Sequence, residues 1–95
     1  MDSVLDWDDG NLEKCQKHGV SINEIEVALC GTITVFDDVA HSQSEKRFIA
    51  IGRSATNRYI LVVFTRRSRN GTLCIRPLSA RYMHQKEIKR YDQQR

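Results

Sequence analysis

The sequence predicts an α+β domain in which two helices precede an antiparallel sheet of about four strands and a third helix follows it. Three observations predict this class. Helical spacing with capping signals is confined to the residues before Gly31, β-branched runs joined by short polar turns fill residues 47–80, and helical spacing returns only from His84. The connections "SATN" and "RRSRNG" are too short for parallel crossovers, so these strands pair as an antiparallel meander. With 95 residues and 40% hydrophobic content, the chain has material for one domain spanning 1–95. At this size folding buries only roughly 60–65% of the surface, which leaves room for a partner to add stability.

Taken in order, "VLDWDD" (Val4 to Asp9) alternates weakly and predicts a short first strand. "NLEKCQKHG" places Leu12 and Cys15 three apart, with Gly19 where a helix end favours the left-handed region, and predicts the first helix. In "SINEIEVALCG", Ser21 and Glu24 form a capping box, Ile22, Ile25 and Leu29 share one face, and Gly31 ends the second helix. "TITVF" (Thr32 to Phe36) is a strand by its β-branched and aromatic residues, and the polar "DDVAHSQSE" after it is a loop. The runs Arg47 to Arg53, Arg58 to Thr65 and Thr72 to Ala80 follow, the last two joined through the Asn70-Gly71 turn signal. Pro77 has no N–H to give a ladder, so its strand lies at an edge there or carries a bulge. "HQKEIKRYDQQR", with Ile88 and Tyr91 three apart, closes the chain as a helix. The predicted order is β-α-α-β-β-β-β-α with the helices on one side of the sheet.

A formal net charge of +3 hides an opposition between the halves. Residues 1–45 hold ten acids against Lys14 and Lys17, whereas residues 46–95 hold ten arginines and three lysines against Glu87 and Asp92. The excess of arginine matters, because a guanidinium offers a planar fork of donors that matches phosphate oxygens and an ammonium does not. Nucleic acid is the first partner this charge implies. The plainer alternative is that the acidic half neutralises the basic half within the fold.

Other classes are excluded or unsupported. No stretch approaches the ~20 apolar residues of a bilayer span, and the acidic start "MDSVLDWDDG" is unlike a signal peptide, so a cytoplasmic protein with no membrane partner is expected. Cys15, Cys30 and Cys74 are widely separated with no C-x-x-C pair, which predicts reduced thiols in or near the core and no zinc site. Phosphate-loop, H-E-x-x-H and G-x-S-x-G patterns are absent, so no cofactor or metal is expected.

What remains is a basic, strand-rich second half. Alternation puts Arg47, Ile49, Ile51 and Arg53 on one face of their strand, where the two arginines would flank a groove, and Arg81 sits just beyond the last strand. Such cations suit RNA phosphoryl transfer: the 2′-hydroxyl attacks the adjacent phosphate, charge grows on its oxygens, and the departing 5′ oxygen takes a proton. Arg47, Arg53 and Arg81 are the candidate charge stabilisers, since arginine stays protonated and is a poor base. His41 and Glu45 are the candidate bases, and Tyr82 and His84 the candidate acids. Lys46, Arg58 and Arg76 are candidates for holding the substrate, Arg76 having an equal claim to a structural role. For His41 the competing reading is an inert loop residue, and for Arg66, Arg67 and Arg69 it is a solvated turn.

Together the segments "WDDGN" and "KHGVS" (Trp7 to Ser21), "HSQSEKRFIAIGRS" (His41 to Ser54), "RYILVVFTRR" (Arg58 to Arg67) and "SAR" with Lys86-Glu87 and Tyr91 resemble the BrnT family, the toxins of type II toxin–antitoxin pairs. The resemblance implies a RelE-like ribonuclease fold and metal-independent RNA cleavage that arrests growth. It also implies neutralisation by a BrnA-type antitoxin with a ribbon-helix-helix domain, through which DNA would be contacted indirectly. By position, the arginines of "EKRF", "IGR" and "SAR" are Arg47, Arg53 and Arg81. The alternative is a catalytically inactive module of the same fold that acts through its antitoxin in operon repression. Met83 and His84 depart from the small residue and Ser or Thr common after "SAR", and imidazole is a poorer N-cap, so a weaker start to the last helix is expected.

Overall fold

A computed structural model describes residues 4–41 and 44–94. Its elements are β1 (Val4–Leu5), α1 (Asp9–Gln16), α2 (Ile22–Cys30), β2 (Thr34–Asp37), a 3₁₀ turn (Val39–His41), β3 (Arg47–Arg53), β4 (Tyr59–Arg69), β5 (Thr72–Tyr82) and α3 (Gln85–Gln94). The order of strands and helices is the one the sequence predicts. The sheet is five-stranded and mixed, in the order β1-β5-β4-β3-β2, with β1 parallel to β5 and every other pair antiparallel. The first strand joins this sheet, parallel to β5, which corrects the expectation of an antiparallel sheet of about four strands.

Asp8 explains why β1 is so short. Its carboxylate accepts from the backbone N–H groups of Gly10 and Asn11, and Asn11 Oδ1 accepts from the Asp8 N–H, so the chain turns into α1 two residues earlier than the Leu12 pattern predicts. The Asn11 amide then donates to the carbonyls of Asp6 and Pro77, which fastens α1 to β5. Ser21 and Glu24 cap α2 reciprocally as the sequence predicts.

Pro77 lies in an interior strand, and the ladder makes room for it. Val63 pairs with Ser79 but Phe64 pairs with Pro77, which leaves Leu78 as the extra residue of a bulge. Arg81 lies within β5 opposite Leu61, rather than beyond the strand.

The bulk of the core lies between the sheet and α1 and α2. Phe48, Ala50, Ile60, Val62, Phe64 and Ala80 point to that side against Cys15, Val20, Ile25, Ala28 and Leu29. Gly52 lets β3 run against the end of α2, because a methyl at that position would lie 2.7 Å from the Ala28 carbonyl oxygen. Gly52→Ala is therefore expected to cost about 1–3 kcal/mol through overpacking, read from denaturant midpoints. An unchanged midpoint would show that α2 shifts freely.

The opposite face carries Arg47, Ile49, Ile51 and Arg53 of β3 with Tyr59, Leu61, Val63, Ser79 and Arg81. Here α3 corrects the expectation of helices on one side only, for it covers the β2 and β3 end of this second face. Tyr91 is the anchor: it meets Phe36 and Tyr59 edge-on at ring-centroid distances of 6.5 and 5.8 Å and shares a 2.5 Å hydrogen bond with Thr34. Among the described residues the rest of the face is only partly covered, with Arg47, Ile49, Leu61, Val63 and Ser79 half-buried.

Candidate active site

The open face has a basic end built around Arg47. The Asp38 N–H donates to the Arg47 carbonyl at 2.9 Å, which ties the 3₁₀ turn to the start of β3. One helical turn on, His41 Nδ1 lies 3.1 Å from both oxygens of the nearly buried Asp38 carboxylate. A carboxylate on Nδ1 fixes the ring and favours the tautomer whose Nε2 is unprotonated, the arrangement of an oriented base. The imidazole is 68% exposed, and with Ala40, Ser44 and Arg47 it lines a shallow depression.

Arg47 is also a wall of a second cleft, of about 250 Å³, lined by Gly10, Asn11 and Lys14 of α1 and by Val63, Arg76, Leu78 and Ser79 of β4 and β5. Lys14, Arg47 and a serine hydroxyl around so small a space fit a phosphate group. Arg76 is held in place by acids: Nη1 lies 2.8 Å from one Asp8 oxygen and Nη2 donates to the other at 3.1 Å, while buried Asp6 lies 3.7 Å from Nη1 and 3.0 Å from Arg69 Nε. The Arg76 bond holds the Asp8 carboxyl down at about 2, and Asp8 in turn raises Arg76. This cluster joins α1 to β5, so Arg76 has the structural role that the sequence left open.

The other end of the face carries Arg53 and Arg81. Counting along β3 at about 3.3 Å per residue, Arg53 stands roughly 20 Å from Arg47, and the two do not flank one groove. The Arg81 guanidinium grips Glu87 of α3 through two bonds of 2.6 and 2.8 Å, and the same carboxylate accepts the His84 N–H at 2.9 Å. Glu87 thus supplies half of a capping box where His84 offers a poor cap. The Arg81 bonds, with the His84 N–H second, hold the Glu87 carboxyl at about 2.

A folded-state value depressed from the ordinary 4.5 contributes stability that is present above 4.5 and lost as pH falls toward 2. Because the Arg81 and Glu87 side chains are about one-third exposed, the contribution is about 1 kcal/mol after screening. The protection factors of the α3 amides, corrected for intrinsic exchange, should fall about fivefold across this window in the parent and be already low and nearly flat in Glu87→Gln. A steep acid response of α3 in that variant would refute the assignment.

Several predicted site residues lie elsewhere. Arg58 stacks 3.5 Å over the Tyr82 ring, and the Tyr82 hydroxyl donates to Glu24 of α2, so both belong to the α2 side of the sheet. The Glu24 bond pushes the Tyr82 hydroxyl up, and Tyr82 is not placed to act as an acid on the open face. Lys46 turns toward Phe48 and Asp37, also away from the cleft. Glu45 is 3.9 Å from Arg67, and His84 sits at the Arg81 end. Cys15 and Cys74 are buried and Cys30 is exposed, and burial pushes the Cys15 thiol up to about 11. Among the described residues no three His, Cys, Asp or Glu side chains converge as a metal site, and no helix is long and apolar enough to cross a membrane.

Residues 7–87 match the model of a family described as the ribonuclease toxin, BrnT, of type II toxin–antitoxin systems. This chain belongs to the BrnT family. No curated protein matches it. The matched span of this BrnT chain contains Asp38, His41, Arg47, Arg53, Arg81 and Glu87, and ends inside α3. Three BrnT residues of the basic end were not predicted from sequence: Asp38, Lys14 and Ser79. Asp38 had a readable signal, since acid and histidine three apart meet within one helical turn, whereas Lys14 and Ser79 are brought to Arg47 only by the packing of α1 on β5.

Proposed function

We propose that this BrnT protein is a metal-independent endoribonuclease that arrests growth and is neutralised in the cytoplasm by a BrnA-type ribbon-helix-helix antitoxin, DNA being contacted only through that antitoxin. The observation that carries the catalytic reading is the Asp38-oriented His41, which lines one depression with Arg47, the residue that also lines the cationic cleft. His41 Nε2 takes the 2′-hydroxyl proton as O2′ bonds to phosphorus. The P–O5′ bond breaks, and the 5′ oxygen takes a proton from the imidazolium or from water, giving a 2′,3′-cyclic phosphate and a 5′-hydroxyl end. Arg47, with Lys14 behind it, faces the charge that grows on the phosphate oxygens. Arg81 and Arg53 hold the strand farther along the face.

The engagement of Arg81 by Glu87 favours the non-catalytic module as the second reading, because a neutralised arginine serves docking as readily as chemistry. One experiment separates the two. Antitoxin-free protein is incubated with end-labelled RNA in EDTA, beside Arg81→Ala. Cleavage to cyclic-phosphate ends by the parent is expected, with a loss of about tenfold in the variant, the size of one exposed charge-assisted contact. Intact RNA at every concentration of folded protein would overturn the enzyme reading in favour of the module.

A further inference from the structure

We infer that the Arg53 end of the open face is a nucleobase subsite, which holds an unstacked base of the RNA several nucleotides from the scissile phosphate; the inference rests on the RNA reading above. A pocket of about 290 Å³ opens there, lined by Gly31, Thr32 and Thr34 on one side, by Ile51 and Arg53 of β3, and by Tyr59 and Tyr91. The size suits one flat ring system rather than a larger ligand. Its walls are of the kind bases stack on. Tyr59 and Tyr91 meet edge to face, and the Arg53 guanidinium lies 4.3 Å over the Tyr59 ring, extending the aromatic surface with a second planar group.

The orientation of this wall is built in. Arg53 donates to the Tyr59 hydroxyl and to Asn57 Oδ1, the latter on a residue held at φ 66° in the turn, and Tyr59 donates to Asp92 of α3. The electrostatics favour a base over a phosphate. Arg53 is the one cation lining the pocket among the described residues, Asp92 stands behind Tyr59, and Gly31 is the C-cap of α2, whose carbonyl end carries partial negative charge. These negative groups offset the Arg53 charge, so the pocket favours an uncharged base over a phosphate. Phosphates have their place at the opposite end, around Arg47, roughly 20 Å away along β3.

The test measures binding, separately from cleavage. A fluorescent, all-2′-deoxy oligonucleotide, which has no attacking hydroxyl, is titrated against the protein, and each base is removed in turn to leave an abasic site. Removal of one base, or of two neighbours, should weaken binding by roughly five- to a hundred-fold, the range of base–aromatic stacking. Thr32→Phe, which fills the pocket from an exposed position, and Arg53→Gln should each bind the complete oligonucleotide as weakly as the parent binds the sensitive abasic one, and should lose that sensitivity. A flat abasic scan in the parent, no binding at all, or full abasic sensitivity retained in Thr32→Phe would overturn the subsite. Cleavage of ribo-oligonucleotides by a protein with a flat scan would leave the ribonuclease reading standing, and a position-specific scan without cleavage would do the reverse.

Discussion

Replacing His41 by alanine is expected to lower RNA cleavage by about 10²–10⁴, the usual worth of a positioned general base, with folding unchanged. Folding should survive because the imidazole is largely exposed and the contact that anchors it among the described residues is to Asp38. A purely structural role for His41 would predict the reverse, a loss of stability with cleavage intact. Free imidazole added to His41→Ala should restore part of the rate, since the variant leaves space beside Arg47 and keeps the Asp38 carboxylate that would receive the ring. Asp38→Asn keeps a hydrogen-bonding group on the ring but stabilises the wrong tautomer, so it should lose most of the rate with little change in RNA binding. Cleavage by His41→Ala within a few-fold of the parent would remove the histidine from the mechanism and leave Glu45 as the base named from the sequence.

Much of this fold is legible because its signals are local. The Ser21 and Glu24 box, the Asn70-Gly71 hairpin and the missing N–H of Pro77 each fix a structure within a few residues, and each appears as cap, turn and bulge. What could not be read is long-range. β1 has only two residues, and nothing local says that Val4 and Leu5 lie parallel to Cys74 and Ile75. The spacing of Ile88 and Tyr91 marks a helix face but does not say which side of the sheet receives it. For the site, alternation correctly put Arg47 and Arg53 on one face, but the same strand geometry that aligns them also separates them. Arg76 shows a further limit, because its partners Asp6 and Asp8 are some 70 residues away in sequence and decide that it is a brace. The neutralisation of the basic half by the acidic half is thus real at this joint, while Lys14 and Arg47 line the cleft beside it.

Arg47 carries the second large effect. It alone lines both the His41 depression and the cleft with Lys14 and Arg76, so a phosphate seated there would have the base on one side and the cations on the other. Arg47→Ala should therefore cost about 10²–10³ in the single-turnover rate, as the loss of a donor to a developing oxyanion does. Arg47→Lys should recover little of it, because an ammonium supplies the charge without the fork that spans two phosphate oxygens. Arg58→Ala is the matched control: it removes the same charge from the Tyr82 side of the sheet and should leave the rate within about threefold. This contrast separates site chemistry from the general attraction of a basic protein for RNA, which would make the two alanine variants alike and shift both with salt. If Arg47→Ala and Arg58→Ala lose activity equally, the open face is only a landing surface and the chemistry lies elsewhere on the chain. If Arg47→Ala fails while still binding the deoxy-oligonucleotide, the residue acts on the transition state, at the point where the Asp38-tethered turn meets β3.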